Sequence, residues 1–171
     1  PRFDQSSYIG RLKHFLDVID PRTLLTSDAE LDKSLDLLKR FKENNNQVPA
    51  GVTDQQMWEA KKTKDAVVHP VTNEKMLVAG RMSAFVPMNV PIAFGMLTLA
   101  TTPASTVVWD WINQSYNVVN NYTNRSGAEV DTQALAKAYG LAVGVSCSIA
   151  VAAGAAMKRV RDCEQNNEHP L

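Results

Sequence analysis

The sequence predicts an all-α fold, and within it an α-helical multi-pass membrane protein with amphipathic helices in its N-terminal region. Three observations lead there. Leu31, Leu35, Leu38 and Phe41 recur on one helical face, while Asp32, Lys33, Asp36, Lys39 and Lys42 point elsewhere, the period of a helix with one apolar stripe. Residues 82–108 and 138–157 carry no charge at all. Between them, the run WDWINQSYNVVNNYTNRS at 109–126 holds five asparagines, a glutamine and two tryptophans.

The 171 residues carry 18 basic and 18 acidic side chains, so net charge gives no reason to expect nucleic acid as a partner. Most of that charge lies in the first 81 residues. Three regions follow: a polar helical region at 1–81, a membrane region at 82–157, and a polar tail at 158–171 expected to be unstructured. Two cysteines, Cys147 and Cys163, make neither a disulfide framework nor a metal cluster. The first twenty residues lack the apolar core of a secretory signal and the acid-poor character of a transit peptide. An organelle address would therefore be internal.

Residues 1–26 mix aromatics and charges, with a turn at Asp20-Pro21 because the residue before proline avoids the helical region. Ser27 with Glu30 forms a capping box for the first strongly periodic helix. The asparagines at 44–46 and Pro49-Ala50-Gly51 end it. A second capping box, Thr53 with Gln56, starts a helix over 54–65 that presents Met57, Trp58 and Lys61. HPVTNEKM at 69–76 reads as a turn into a new helix beginning at Thr72 or Asn73. His69, Thr72 and Glu74, together with Pro87 and Pro91 further on, are turn or gating candidates. His69 is read as capping or packing this turn, since no second histidine or cysteine stands at ligand spacing. No metal or cofactor is expected.

Residues 82–108 are long enough to cross a hydrocarbon layer of about 30 Å. Pro87, Pro91 and Pro103 interrupt them, the pattern of a broken or kinked span, with the break expected at Pro87 to Pro91. Trp109 and Trp111 would mark where this span meets the headgroups. The asparagine-rich stretch 109–126 is expected to be helical. Asn113, Asn117, Asn120 and Asn124 then share one face, opposite Trp111, Ile112, Val118, Val119 and Tyr122. After a polar link at 127–133, the second span at 138–157 carries Gly140, Gly144, Ser148, Ala152 and Ala156 at every fourth position, a small-residue stripe suited to close helix packing in lipid. Basic residues precede the first span and follow the second, which predicts a helical hairpin with both ends on one side. Three asparagine sequons occur in 113–126 but follow easily from the composition. No nucleophile, base and orienting group converge in any motif, so the chain is not read as an enzyme.

Five segments together resemble the sideroflexin family: RLKHFLDVIDPRTLL at 11–25, HPVTNEKM at 69–76, GRMSAFVPMN from Gly80, TTPA from Thr101, and WDWINQSYNVVNNYTNRSG from Trp109. The resemblance covers nearly the whole chain to about residue 157. It implies a multi-pass mitochondrial inner-membrane protein that moves small neutral amino acids, serine above all, to feed one-carbon metabolism. Val71 stands where the family usually has aspartate, and Asp110 where it usually has glutamine. Members of that family continue through several further membrane helices, so the resemblance implies an N-terminal half or a short form. Its expected partners are membrane lipid, serine or a similar small amino acid, and partner transmembrane helices from the missing half or an oligomer.

A zwitterionic amino acid needs donors for its carboxylate and acceptors for its ammonium. Amide side chains supply both without a permanent charge. Asn113, Gln114, Ser115, Asn117, Asn120 and Asn124, with Asn121 at the edge, are therefore the candidates for a polar substrate path. The alternative is that these amides join helices through interhelical hydrogen bonds. At the level of function, the alternative to a transporter is a membrane adaptor or assembly factor.

Overall fold

The computed structural model describes residues 2–168. Among them are six α-helices: α1 (Tyr8–Val18), α2 (Asp28–Glu43), α3 (Asp54–Val67), α4 (Phe85–Thr98), α5 (Pro103–Thr123) and α6 (Thr132–Glu168). Short 3-10 turns occur at Pro21–Leu25, Val78–Gly80 and Met82–Ala84. The described residues contain no strand, only an isolated antiparallel bridge between Val68 and Lys75. The all-α expectation holds. Two compact units divide the chain, one made of residues through Met88 with Val119–Ala128, the other of Asn89–Val118 with the chain from Glu129 onward.

The first unit is assembled from capped helices. Ser7 caps α1 by accepting from Gly10 N at 3.0 Å, and Gly10 is needed there because a Cβ would lie 1.7 Å from the Asp4 carbonyl. Both expected capping boxes form, with Ser27 N donating to Glu30 Oε2 and Thr53 N to Gln56 Oε1, each at 2.9 Å. Asn45 and Asn46 end α2 in the left-handed region, at φ 52° and 60°, which asparagine tolerates better than most residues. Leu31 and Leu35 of α2 pack on Val67 and Val68 at the end of α3, so the stripe read from the sequence does reach a core. Lys62 of α3 reaches back to Asp17 Oδ1 at 3.0 Å and Asp20 Oδ2 at 2.7 Å. Asp20 also accepts from Arg22 and caps the 3-10 turn that follows.

Three sequence expectations in this unit need correction. Residues 8–18 form α1, although no periodicity was assigned there. The Asp20-Pro21 turn continues as a 3-10 helix. No helix begins at Thr72 or Asn73. Residues 69–76 instead double back, with Met76 N donating to Val67 O at 2.8 Å and His69 N to Glu74 O at 2.9 Å. The reason is local: His69 Nδ1 accepts from Val71 N and Thr72 N, which occupies amides that would open a helix, and Asn73 takes φ 54°.

The stretch 82–108, in the first unit through Met88 and in the second from Asn89, is not one span. α4 runs unbroken through Pro91, with Pro87 in its first turn, where a missing N–H costs little. The break expected at Pro87 to Pro91 falls instead at residues 99–102. There Ser105 N donates to the Thr102 hydroxyl, and Pro103 occupies the first position of α5, the place where proline suits a helix start. The asparagine-rich run is the second half of a longer helix. Within the second unit Gly95 of α4 gives room to the Trp109 ring, whose atoms would lie 2.3 Å from a Cβ. Ser115 on α5 hydrogen-bonds Tyr139 on α6 at 2.8 Å.

α6 begins six residues before the expected span, capped by Asp131, which accepts from Gln133 N and Ala134 N. It is long and apolar enough to cross a membrane over Thr132–Cys163, whereas Met82–Thr98 is a shorter apolar helix. The tail expected to be unstructured from residue 158 is helical through Glu168. No glycine or proline interrupts it, and Lys, Arg, Glu and Gln are good helix formers. Residues 169–171 of that tail lie outside the described residues.

The Asp20 cluster has a pH consequence. Hydrogen bonding from Arg22, reinforced by Lys62 and opposed by burial, holds the Asp20 carboxyl well below the usual carboxylate range. Arg22 is largely in solvent, where its attraction is screened; Lys62 is the partner that joins elements. A depressed folded-state value stabilises the fold fully above about pH 4, the unfolded value, and this contribution is lost as pH falls below it. Helical signal followed through acid titration is expected to drop below pH 4, and Asp20→Asn is expected to lower stability at neutral pH while flattening that acid limb.

Candidate functional site

The candidate site is the polar face of α5 and the segment its C-terminal end holds. In the first unit, Asn120 and Asn124, four residues apart and so on one side of the helix, both donate through Nδ2 to the carbonyl of Gly80, at 3.2 and 2.7 Å. Asn124 also donates to Asn120 O at 2.8 Å. Asn120 and Thr123 are buried. Gly80 sits so close that a Cβ would lie 2.0 Å from Thr123 Oγ1. Side-chain amides that satisfy a backbone carbonyl between elements serve the joining role.

The HPVTNEKM turn is tied to the same helix end. His69 is 2% exposed. Because its Nδ1 accepts two backbone amides, Nε2 carries the hydrogen and donates to the Arg125 carbonyl at 2.8 Å. Thr72 Oγ1 accepts from Glu74 N at 3.4 Å, and the Glu74 carbonyl receives His69 N. His69, Thr72 and Glu74 thus build one turn that meets the residue following Asn124. Asn124 also lines a cavity of about 150 Å³ with His14, Trp58, Lys62, Met76 and Met82. Lys62 is paired with Asp17 and Asp20, and Lys61, at the rim, with Asp65.

The other path candidates belong to the second unit. Asn113, Gln114 and Asn117 are partly buried, and none has a side-chain hydrogen bond among the described residues. Ser115 is occupied, bonded to Trp111 O and Tyr139. Asn121, in the first unit, is exposed. On the face opposite the asparagines Val108, Trp111 and Tyr122 are exposed, while Ile112, Val118 and Val119 are half-buried, as are Asn113, Gln114 and Asn117 on the polar face. The packing candidates on α6 stand apart, since a Cβ on Gly140 or Gly144 would meet nothing within 4 Å, and Ser148, Ala152 and Ala156 are exposed. No group of three or more metal-ligating side chains occurs among the described residues.

Two participants escaped the sequence reading. Gly80 was visible only as part of a motif, because nothing in a lone glycine indicates that its carbonyl will be held by two amides. Asp110 had a signal: an acid between two tryptophans beside a charge-free run. It is buried.

An all-α chain with, among its described residues, one apolar helix of membrane length and a helix bearing half-buried amides is the class these features define. The chain belongs to the sideroflexin family. The sideroflexin family model matches residues 1–169. The chain is 43% identical to sideroflexin-1 of Ovis aries over 94% of its length and 49% of that protein. It is 46% identical to sideroflexin-5 of Homo sapiens over 75% of its length and 37% of that protein. With sideroflexin-3 of Homo sapiens the identity is 42% over 92% of the chain and 48% of the relative. The chain spans about half the length of the curated relatives it matches. No solved structure matches it.

The double contact on Gly80 is directly testable. Asn120→Ala, which removes one of two donors while Asn124 still holds the carbonyl, is expected to destabilise the first unit by about 0.5–1.5 kcal/mol in thermal unfolding of the purified protein. Gly80→Ala, which forces Cβ into Thr123, is expected to cost about 1–3 kcal/mol, whereas Asn121→Ala at the exposed position is expected to leave the midpoint within about 1 °C.

Proposed function

We propose that this chain forms part of a mitochondrial inner-membrane, multi-pass transporter of small neutral amino acids, chiefly serine, supplying one-carbon metabolism. The observation that carries the reading is the half-buried polar face of α5, where Asn113, Gln114 and Asn117 keep amide donors and acceptors without partners among the described residues. Amides of this kind match both ends of a zwitterion at a lower desolvation cost than charged side chains. Family membership supports the transporter-like role and the mitochondrial membrane setting.

Lipid is the proposed partner of the outward surfaces. Leu97 of α4 and Leu141 and Ile149 of α6 are all exposed. On α1, Tyr8, Ile9, Leu12, Phe15 and Leu16 form one exposed arc flanked by Arg11 and Lys13, the pattern of a helix lying in a headgroup layer. A second reading, a membrane adaptor or assembly factor, draws on the open stripe at Gly140 and Gly144, which leaves room for a partner helix.

Mitochondria lacking their own sideroflexin are expected to regain labelled-serine uptake when the full-length form of this protein is expressed. Asn113→Ala with Asn117→Ala is expected to reduce that uptake at least tenfold at unchanged protein level; unchanged uptake would sink the path. The adaptor reading predicts instead that Gly144→Ile abolishes complex formation on native gels while serine flux is absent throughout.

A further inference from the structure

Asp110 is 8% exposed, yet its carboxylate makes no hydrogen bond or ion pair with any described residue. The side chain is packed, but its oxygens keep access to the surface, so a charge that ordinarily seeks a partner is open to a bound group. The contrast is with Asp20, the other buried aspartate among the described residues, which is paired with Arg22 and Lys62.

Its place on α5 gives the isolation a chemical meaning. At about 100° per residue, Asp110 shares its side of the helix with Asn113, Gln114 and Asn117, the three amides without partners. One helical turn, about 5.4 Å, separates the carboxylate from Asn113 and Gln114. An α-amino acid places its ammonium and carboxylate on a single carbon, so both groups fit within that turn. The anion then meets the ammonium, and the amide N–H groups meet the substrate's carboxylate and hydroxyl.

We propose that Asp110 is the acceptor for the ammonium group of a small amino acid bound on this face, with Asn113, Gln114 and Asn117 receiving the carboxylate end. The proposal rests on the amino-acid transporter reading and extends it to the charge that selects the substrate. A site of this kind takes ligands bearing a primary ammonium and rejects those in which the nitrogen is acylated. This carboxylate supplies a charge-assisted bond that amides alone do not.

The test uses the whole chain reconstituted in lipid nanodiscs, with equilibrium binding of labelled serine, labelled ethanolamine and labelled N-acetylserine. Ethanolamine keeps serine's ammonium and hydroxyl without the carboxylate; N-acetylserine keeps the carboxylate without the ammonium. Serine and ethanolamine are expected to bind and N-acetylserine not to, and Asp110→Asn is expected to weaken both binders roughly tenfold or more, the loss of one charge-assisted bond. Circular dichroism of Asp110→Asn, a near-isosteric change, is expected to match the parent. Binding of serine undiminished by Asp110→Asn overturns the assignment while leaving the transporter reading intact. Asp110-dependent binding of ethanolamine without any binding of serine keeps the ammonium site and overturns the amino-acid reading. Failure of the parent protein to bind ethanolamine overturns the ammonium site. Should Asp110→Asn lose helix content, Asp110→Glu, which restores the charge, is expected to recover ethanolamine binding; no recovery overturns the proposal.

Discussion

The contact on which the first unit depends is the carbonyl of Gly80, held at once by the side-chain amides of Asn120 and Asn124. A backbone carbonyl has two lone pairs, and here both are used. The close approach requires glycine, since any Cβ would overlap Thr123. It also requires a helix that offers amides one turn apart. With His69 bonded to the Arg125 carbonyl, the residues before α4 are fastened to the end of α5 at two points.

This arrangement divides the asparagines by role. Asn120 and Asn124 are committed to the backbone. Asn113, Gln114 and Asn117, further toward the N-terminus of the same helix, have no such commitments among the described residues. One composition therefore serves two purposes in succession along α5, with structural amides at one end and available ones at the other. The exposure of Val108, Trp111 and Tyr122 on α5 makes physical sense where the surroundings are as apolar as a protein core. The same logic accounts for α6, whose apolar side chains remain exposed along a length sufficient to cross a bilayer.

The prolines illustrate how position governs effect. Pro87 lies in a first helical turn, Pro103 at a helix start, and only Pro91 sits inside α4. A count of three prolines suggested one interrupted span. Their placement makes two helices with a single break at residues 99–102, where Thr102 and Ser105 cap each other's backbone.

By itself the sequence determined what local chemistry controls: the all-α class, the two capping boxes, the helical period of 109–124, the apolar length of α6 and the family, because each depends on residues within a few turns of one another or on motif identity. Tertiary structure decided the rest. That Asn120 and Asn124 hold Gly80 across more than forty residues, that His69 folds its turn back instead of starting a helix, and that Asp110 is buried without a partner are outcomes of which carbonyls and amides are brought together. No periodicity encodes them, because hydrogen-bond partners distant in the chain are chosen by packing and not by spacing.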